Sequence, residues 1–131
     1  MTKRILIVED TEDNRRILRD LLTVAGYDLL EATDGGSGVA LALQERPDLV
    51  LMDIQLPVID GYEATRRLKA DPATRHIPVV AVTSYALSGD EGKALDAGCD
   101  GYVAKPFSPR KILALVREIL HDGAEAGGAR P

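Results

Sequence analysis

Five residues of this chain have the types needed for phosphoryl chemistry, provided folding brings them together: Glu9, Asp10, Asp53, Thr83 and Lys105. Each stands at or just past the end of an apolar run: ILIV before Glu9-Asp10, LVLM before Asp53, VVAV before Thr83 and YVA before Lys105. An aspartate directly after LVLM gains nothing from burial and is expelled into water unless it is paired. Two carboxylates about 5 Å apart repel by roughly 3 kcal/mol at an effective dielectric near 20. Three converging carboxylates therefore need cationic company. Lys105 can neutralise one charge and a hard divalent cation the rest. A site of oxygen donors with few protein carboxylates leaves positions for water and phosphate oxygens, which suits magnesium, and there is no Cys or His set to favour zinc. Beside a metal, an ammonium and a hydroxyl, a carboxylate can attack phosphorus, because the cations screen the approach of one anion to another. The product is an aspartyl phosphate.

The elements that must bring these residues together are readable from apolar periodicity. Five short runs rich in Val, Ile and Leu predict strands over 3–8, 27–32, 48–52, 78–82 and 101–105. Apolar residues at three- and four-residue steps predict helices through Ile17, Leu18, Leu21 and Leu22 and through Ile112, Leu115, Val116 and Ile119. Shorter helices are expected around Val39 to Leu43, Ala64 to Leu68 and Ala94 to Leu95, with Pro47, Pro78 and Gly98 marking their exits. Strand and helix thus alternate five times. That alternation implies an α/β fold with a parallel sheet covered on both faces, and right-handed crossovers in so short a chain favour an open, doubly wound sheet over a barrel. The expected strand order is 2-1-3-4-5, flavodoxin-like, in three αβα layers. Ligands of such sheets bind outside the carboxyl ends of the strands where the winding reverses, between strands 1 and 3. All five residues fall on that rim.

Composition excludes several other classes. With 131 residues, 45% hydrophobic and 28% charged, the chain fits one globular domain, expected over 1–121, followed by a tail over 122–131 (DGAEAGGARP) with no apolar period. No apolar stretch approaches the ~20 residues that span a bilayer, and the acidic turn after ILIV is unlike a signal peptide, so the expected location is cytoplasmic, with no membrane partner. One cysteine, Cys99, forms no disulfide framework or metal-binding spacing. A net charge of −5 disfavours direct nucleic-acid binding. The basic residues Arg15, Arg16 and Arg19 read as a solvated helix face.

The segments VED, LMDIQLPVIDG, PVVAVTSYA and AGCDGYVAKPF, in this order, resemble the receiver domain of two-component response regulators. The likeness runs from residue 3 to about 121, and IVEDTEDNRR and VTSYALSGD are similar in wording to single-domain cell-cycle regulators. The resemblance implies that Asp53 accepts a phosphoryl group from a histidine kinase or a histidine phosphotransfer protein. It implies magnesium, replaceable by manganese, held by Asp10 and Asp53, by Glu9 mainly through water, and by the Gln55 carbonyl. Thr83 and Lys105 would hold the phosphoryl oxygens, Tyr102 would turn inward on activation, and the Lys105–Pro106 peptide would be cis. Gln55 and Tyr85 would tune dephosphorylation. Output would pass to a downstream protein by contact, with a homodimer on phosphorylation as one form, and the chain would be a switch rather than a turnover enzyme. A receiver cut from a hybrid histidine kinase would carry the same motifs.

Plainer readings exist for each residue taken alone. Glu9 and Asp10 can favour the start of the first helix while Thr11 or Asp13 caps it, Thr83 and Ser84 can cap the fourth helix, and Lys105 can be a surface lysine. Their joint placement on one rim is what favours chemistry. A haloacid dehalogenase-type phosphatase also uses an aspartate nucleophile but needs a D-x-D pair, where this chain has Asp53-Ile54-Gln55. A flavin carrier of the same architecture needs a phosphate loop after strand 1, where this chain has EDTEDN.

Overall fold

The computed structural model describes residues 2–83, 90–106 and 108–120. Ser84, Tyr85 and the expected 122–131 tail lie outside the described residues. Five strands, β1 (Arg4–Val8), β2 (Asp28–Ala32), β3 (Leu49–Asp53), β4 (Val79–Thr83) and β5 (Gly101–Ala104), alternate with α1 (Glu12–Val24), α2 (Gly35–Glu45), α3 (Gly61–Ala70), α4 (Asp90–Ala97) and α5 (Pro109–Leu120). All neighbouring strands are parallel, in the order β2-β1-β3-β4-β5, as the alternation predicts.

The side-chain period of two divides the core into two layers. Leu6, Val8, Val50, Met52, Val79 and Ala81 face Ala42 of α2, Ala64 and Leu68 of α3 and Ala94 of α4. Ile5, Ile7, Leu49, Leu51, Val80 and Val82 face Leu18 and Leu22 of α1 and Ile112, Val116 and Leu120 of α5. Every residue of β3 and β4 is buried, which is why these strands read as uninterrupted apolar runs. Among the described residues no helix is long and apolar enough to cross a membrane.

Helix ends follow local chemistry. Asp34 caps α2 by accepting from the Ser37 N–H at 2.7 Å, and Asp60 caps α3 by accepting from the Glu63 N–H at 2.9 Å. Thr11 precedes α1 but its side chain makes no capping bond, so the expected Thr11 cap is absent. Helix α2 starts four residues before the predicted core at Val39, across three glycines that disfavour helix in isolation. Packing supplies the reason: a Cβ on Gly38 would lie 2.8 Å from a methyl of Val8. Helix α4 is thinly attached, with Ala94 and Ala97 buried and Leu95 62% exposed.

Candidate functional site

Because β1 and β3 are neighbours in register, Val8 beside Met52, the residues that follow them open into one crevice. Asp53 is the last residue of β3, and Thr83 is the last of β4, one step beyond the Asp53–Val82 pair. The Lys105 N–H donates to the Thr83 carbonyl at 2.7 Å, which brings the end of β5 to the same rim. The structure thus gathers Glu9, Asp10, Asp53, Thr83 and Lys105, separated by up to 96 positions in sequence, at one edge. The described part of α4 runs from Asp90 to Ala97, and the segment in which a Thr83 or Ser84 cap would act lies outside the described residues.

Glu9, Asp53 and Thr83 are buried, at 2%, 3% and 0% exposure, whereas Asp10 is exposed. Oxygens of Glu9, Asp10 and Asp53 all lie within 4.8 Å of one another. The Lys105 ammonium sits between two of these carboxylates, 3.1 Å from Glu9 Oε1 and 3.3 Å from Asp53 Oδ1. The other Glu9 oxygen accepts from the Thr11 N–H at 3.1 Å. The Gln55 N–H donates to Asp53 Oδ1 at 3.2 Å. Burial, and next the Glu9 charge, push the Asp53 carboxyl up to about 6, against the opposing pull of Lys105 and the Gln55 N–H. Two buried carboxylates, a third at the rim and one ammonium leave the pocket with excess negative charge. A hard divalent cation fits that oxygen donor set.

Other residues that the resemblance singles out also fall around this rim. The Lys105–Pro106 peptide is cis. Tyr102 pairs with Ala81 and Ala104 with Thr83, so the Tyr102 and Thr83 side chains share one face of the sheet, where Tyr102 packs half-buried against the α2–α4 core layer. Cys99 is buried, and burial raises its thiol, which leaves it unreactive.

Two supports of the site went unread in the sequence. Gly61, the first residue of α3, is stacked on the backbone that follows the acceptor: its N–H donates to the Ile54 carbonyl at 2.9 Å, and a Cβ there would lie 2.2 Å from the Asp53 carbonyl oxygen. Backbone, not a flexible side chain, would have to move. Gly61→Ala is therefore expected to cost about 3 kcal/mol, at the upper end of overpacking, measured by urea unfolding; an unchanged midpoint would mean that the contact relaxes freely. The second support is Arg15, whose guanidinium donates to the Glu9 carbonyl at 2.9 Å and pairs with Glu12 and Glu31. The signal was the three- and four-residue spacing of Glu12, Arg15 and Arg19, which puts them on one face of α1.

A family model described as response regulator receiver domain matches residues 5–117. The polar-differentiation response regulator DivK of Brucella ovis is 43% identical over 122 residues, which cover 93% of this chain and 99% of that protein. DivK of Brucella abortus strain 2308 matches to the same extent. Among solved structures, the receiver domain of a sensor histidine kinase from Pseudomonas aeruginosa, with a magnesium ion coordinated in its active-site cleft, superposes with a TM-score of 0.86 at 36% identity, over 93% of this chain and 100% of that one. A CheY-like response regulator receiver domain protein from Methanospirillum hungatei gives a TM-score of 0.86 at 32% identity, over 92% and 95% of the two chains.

Proposed function

This chain belongs to the response regulator receiver domain family, and we propose that it is a phosphorylation switch whose acceptor is Asp53. The observation that carries the reading is the placement of Lys105, within 3.3 Å of two buried carboxylates, Glu9 after β1 and Asp53 at the end of β3, in a pocket that still holds excess negative charge. Such an arrangement is costly for a fold to maintain and gains its use when a divalent cation offsets the excess charge and lets an anionic group approach. Glu9, Asp10 and Asp53, with the Gln55 carbonyl, would hold magnesium or, in its place, manganese. When bound, the cation supplies charge neutralisation and polarises the phosphoryl oxygens.

The chain's own part is to aim and to screen. Asp53 Oδ attacks phosphorus, an O–P bond forms, and the bond from phosphorus to the donor's leaving atom breaks. With a phosphohistidine donor the leaving group is an imidazole, supplied by a histidine kinase or a histidine phosphotransfer protein. Lys105 turns from the Asp53 carboxylate to a phosphoryl oxygen, and the Thr83 hydroxyl donates to another. No further residue is needed for a single transfer, so the chain is a switch and not a turnover enzyme, and water later clears the acyl phosphate at a rate tuned by Gln55 and Tyr85. Drawing Thr83 toward the phosphoryl group vacates space on the face it shares with Tyr102, and Tyr102 moving there repositions α4 for a downstream protein or a second copy of the chain.

Incubation with acetyl phosphate and MgCl2, read by intact-protein mass spectrometry, tests this reading. The expected result is a gain of one phosphoryl group per chain, absent when a chelator takes up the metal before acetyl phosphate is added. Steady hydrolysis of unrelated phosphate monoesters would instead favour a phosphatase, and no gain with an intact fold would sink the reading.

A further inference from the structure

We infer that Arg15 is a positioning residue for the cation pocket, acting through the backbone of Glu9 and braced by Glu31 on the edge strand β2. The inference rests on the proposal that Glu9, Asp10 and Asp53 hold a divalent cation.

Each backbone and side-chain polar atom of Glu9 has a partner. Its N–H donates to the Ala32 carbonyl at 3.0 Å, Oε1 faces Lys105 at 3.1 Å and Oε2 accepts from the Thr11 N–H at 3.1 Å. The fourth atom, the carbonyl oxygen, accepts from Arg15 at 2.9 Å. That carbonyl belongs to the Glu9–Asp10 peptide, which is planar and rigid, so fixing its oxygen fixes the plane from which the Asp10 Cα and side chain depart. Asp10 is exposed, in contrast to the buried Glu9. Its direction is therefore set from behind, through the chain.

Arg15 is itself held. Its side chain is only 13% exposed, with one nitrogen 2.5 Å from Glu12 and another 3.4 Å from Glu31. Glu31 is gripped in turn by Arg19 in a two-point pair at 2.8 and 3.0 Å, which lowers the Glu31 carboxyl and keeps it ionised. Three elements, the end of β1, the first turns of α1 and the edge strand β2, thus meet on one guanidinium. Outer groups of this kind, one step removed from the ligands, typically change metal affinity 10–100-fold.

Electrostatics and positioning predict opposite signs, which makes the inference testable. Removing a positive charge near an acidic pocket should tighten cation binding, whereas losing the hold on the Glu9 carbonyl should weaken it. Magnesium chloride alone, titrated into the full chain by calorimetry, reads the affinity, and urea unfolding without metal reads the fold. Arg15→Met is expected to bind magnesium about tenfold more weakly. Arg16→Met carries the same charge change on a side chain that is 59% exposed and 3.5 Å from Asp13, and is expected to bind as tightly as wild type or slightly more so. Arg15→Lys keeps the charge and folds under milder strain, but one ammonium cannot replace the guanidinium's hold on the Glu9 carbonyl, Glu12 and Glu31 together; it is expected to fall between the two, with the Asp10 amide nitrogen resonance displaced in the metal-free state. Unchanged or tighter binding in both Arg15 variants would overturn the inference, and so would a loss of stability without any loss of affinity. Absence of magnesium binding by the wild type is a separate outcome, which would remove the cation-pocket proposal itself.

Discussion

Asp53→Asn is expected to take up no phosphoryl group from acetyl phosphate and, without metal, to unfold at a higher urea concentration than wild type at pH 7. The first effect follows because an amide oxygen is not a competent nucleophile toward phosphorus here. The second follows from linkage. The Asp53 carboxyl stands at about 6 in the folded chain against an ordinary 3.8, so the folded state binds its proton more tightly than the unfolded one. A group raised in this way contributes stability that is fully present below pH 4 and is lost as pH rises through about 6. At neutral pH the ionised Asp53 therefore opposes folding, and asparagine, which cannot ionise, removes the opposition. One pKa unit is worth about 1.4 kcal/mol, and with allowance for water at the crevice rim the gain is about 1–2 kcal/mol. The gain should shrink as pH falls and vanish toward about pH 3, below the ordinary carboxyl value, where Asp53 is largely protonated in both states. Magnesium should stabilise wild type and do little for the variant. Equal urea midpoints for the two proteins at pH 7 and pH 4 would show that Asp53 is not under electrostatic strain.

Lys105→Met should act in the opposite direction. The substitution keeps an unbranched stem but takes away the ammonium that lies between Glu9 and Asp53, whose side chains are each 3% exposed. Breaking a buried pair by removing one partner costs about 3–5 kcal/mol. Here the cost is eased because Asp53 can take up a proton, so a loss of about 2–4 kcal/mol is expected at pH 7, shrinking toward pH 5. Magnesium should restore much of it. Phosphoryl uptake should slow by about 100-fold, the usual effect of deleting one donor to developing charge. The double variant Asp53→Asn with Lys105→Met should lose less than Lys105→Met alone, since one of the two stranded carboxylates is gone. Identical metal-free urea midpoints for wild type and Lys105→Met would contradict the placement of this lysine as the pocket's counter-charge.

The parts of the structure that were legible in the sequence are those governed by short-range rules. β1, β3 and β4 stood out because burial on both faces removes every polar residue until the strand ends, so the first charge or hydroxyl after LVLM or VVAV marks the rim. Topology then placed Asp53 next to Glu9-Asp10 without any knowledge of side-chain contacts. What stayed hidden depends on tertiary contact. The start of α2 was obscured by glycines whose rationale is tertiary: a Cβ on Gly35 would meet Ile59 at 2.7 Å, and one on Gly38 would meet a Val8 methyl at 2.8 Å. That Lys105 can neutralise one charge was legible, but not that its ammonium lies between Glu9 and Asp53. Arg15 read as a solvated charge because its partner Glu31 is 16 positions away, on another element. Of the two caps the plain reading offered for α1, Thr11 or Asp13, the Thr11 side chain makes no capping bond, and its main-chain N–H turns back to Glu9.

The seam between α4 and the sheet rests on two alanines, with the helix's one leucine turned mostly to water. A helix held by so few methyl groups can detach while the sheet stays whole, so its amides will exchange with deuterium long before those of β3. The same looseness exposes a stretch of backbone to a protease's cleft without global unfolding.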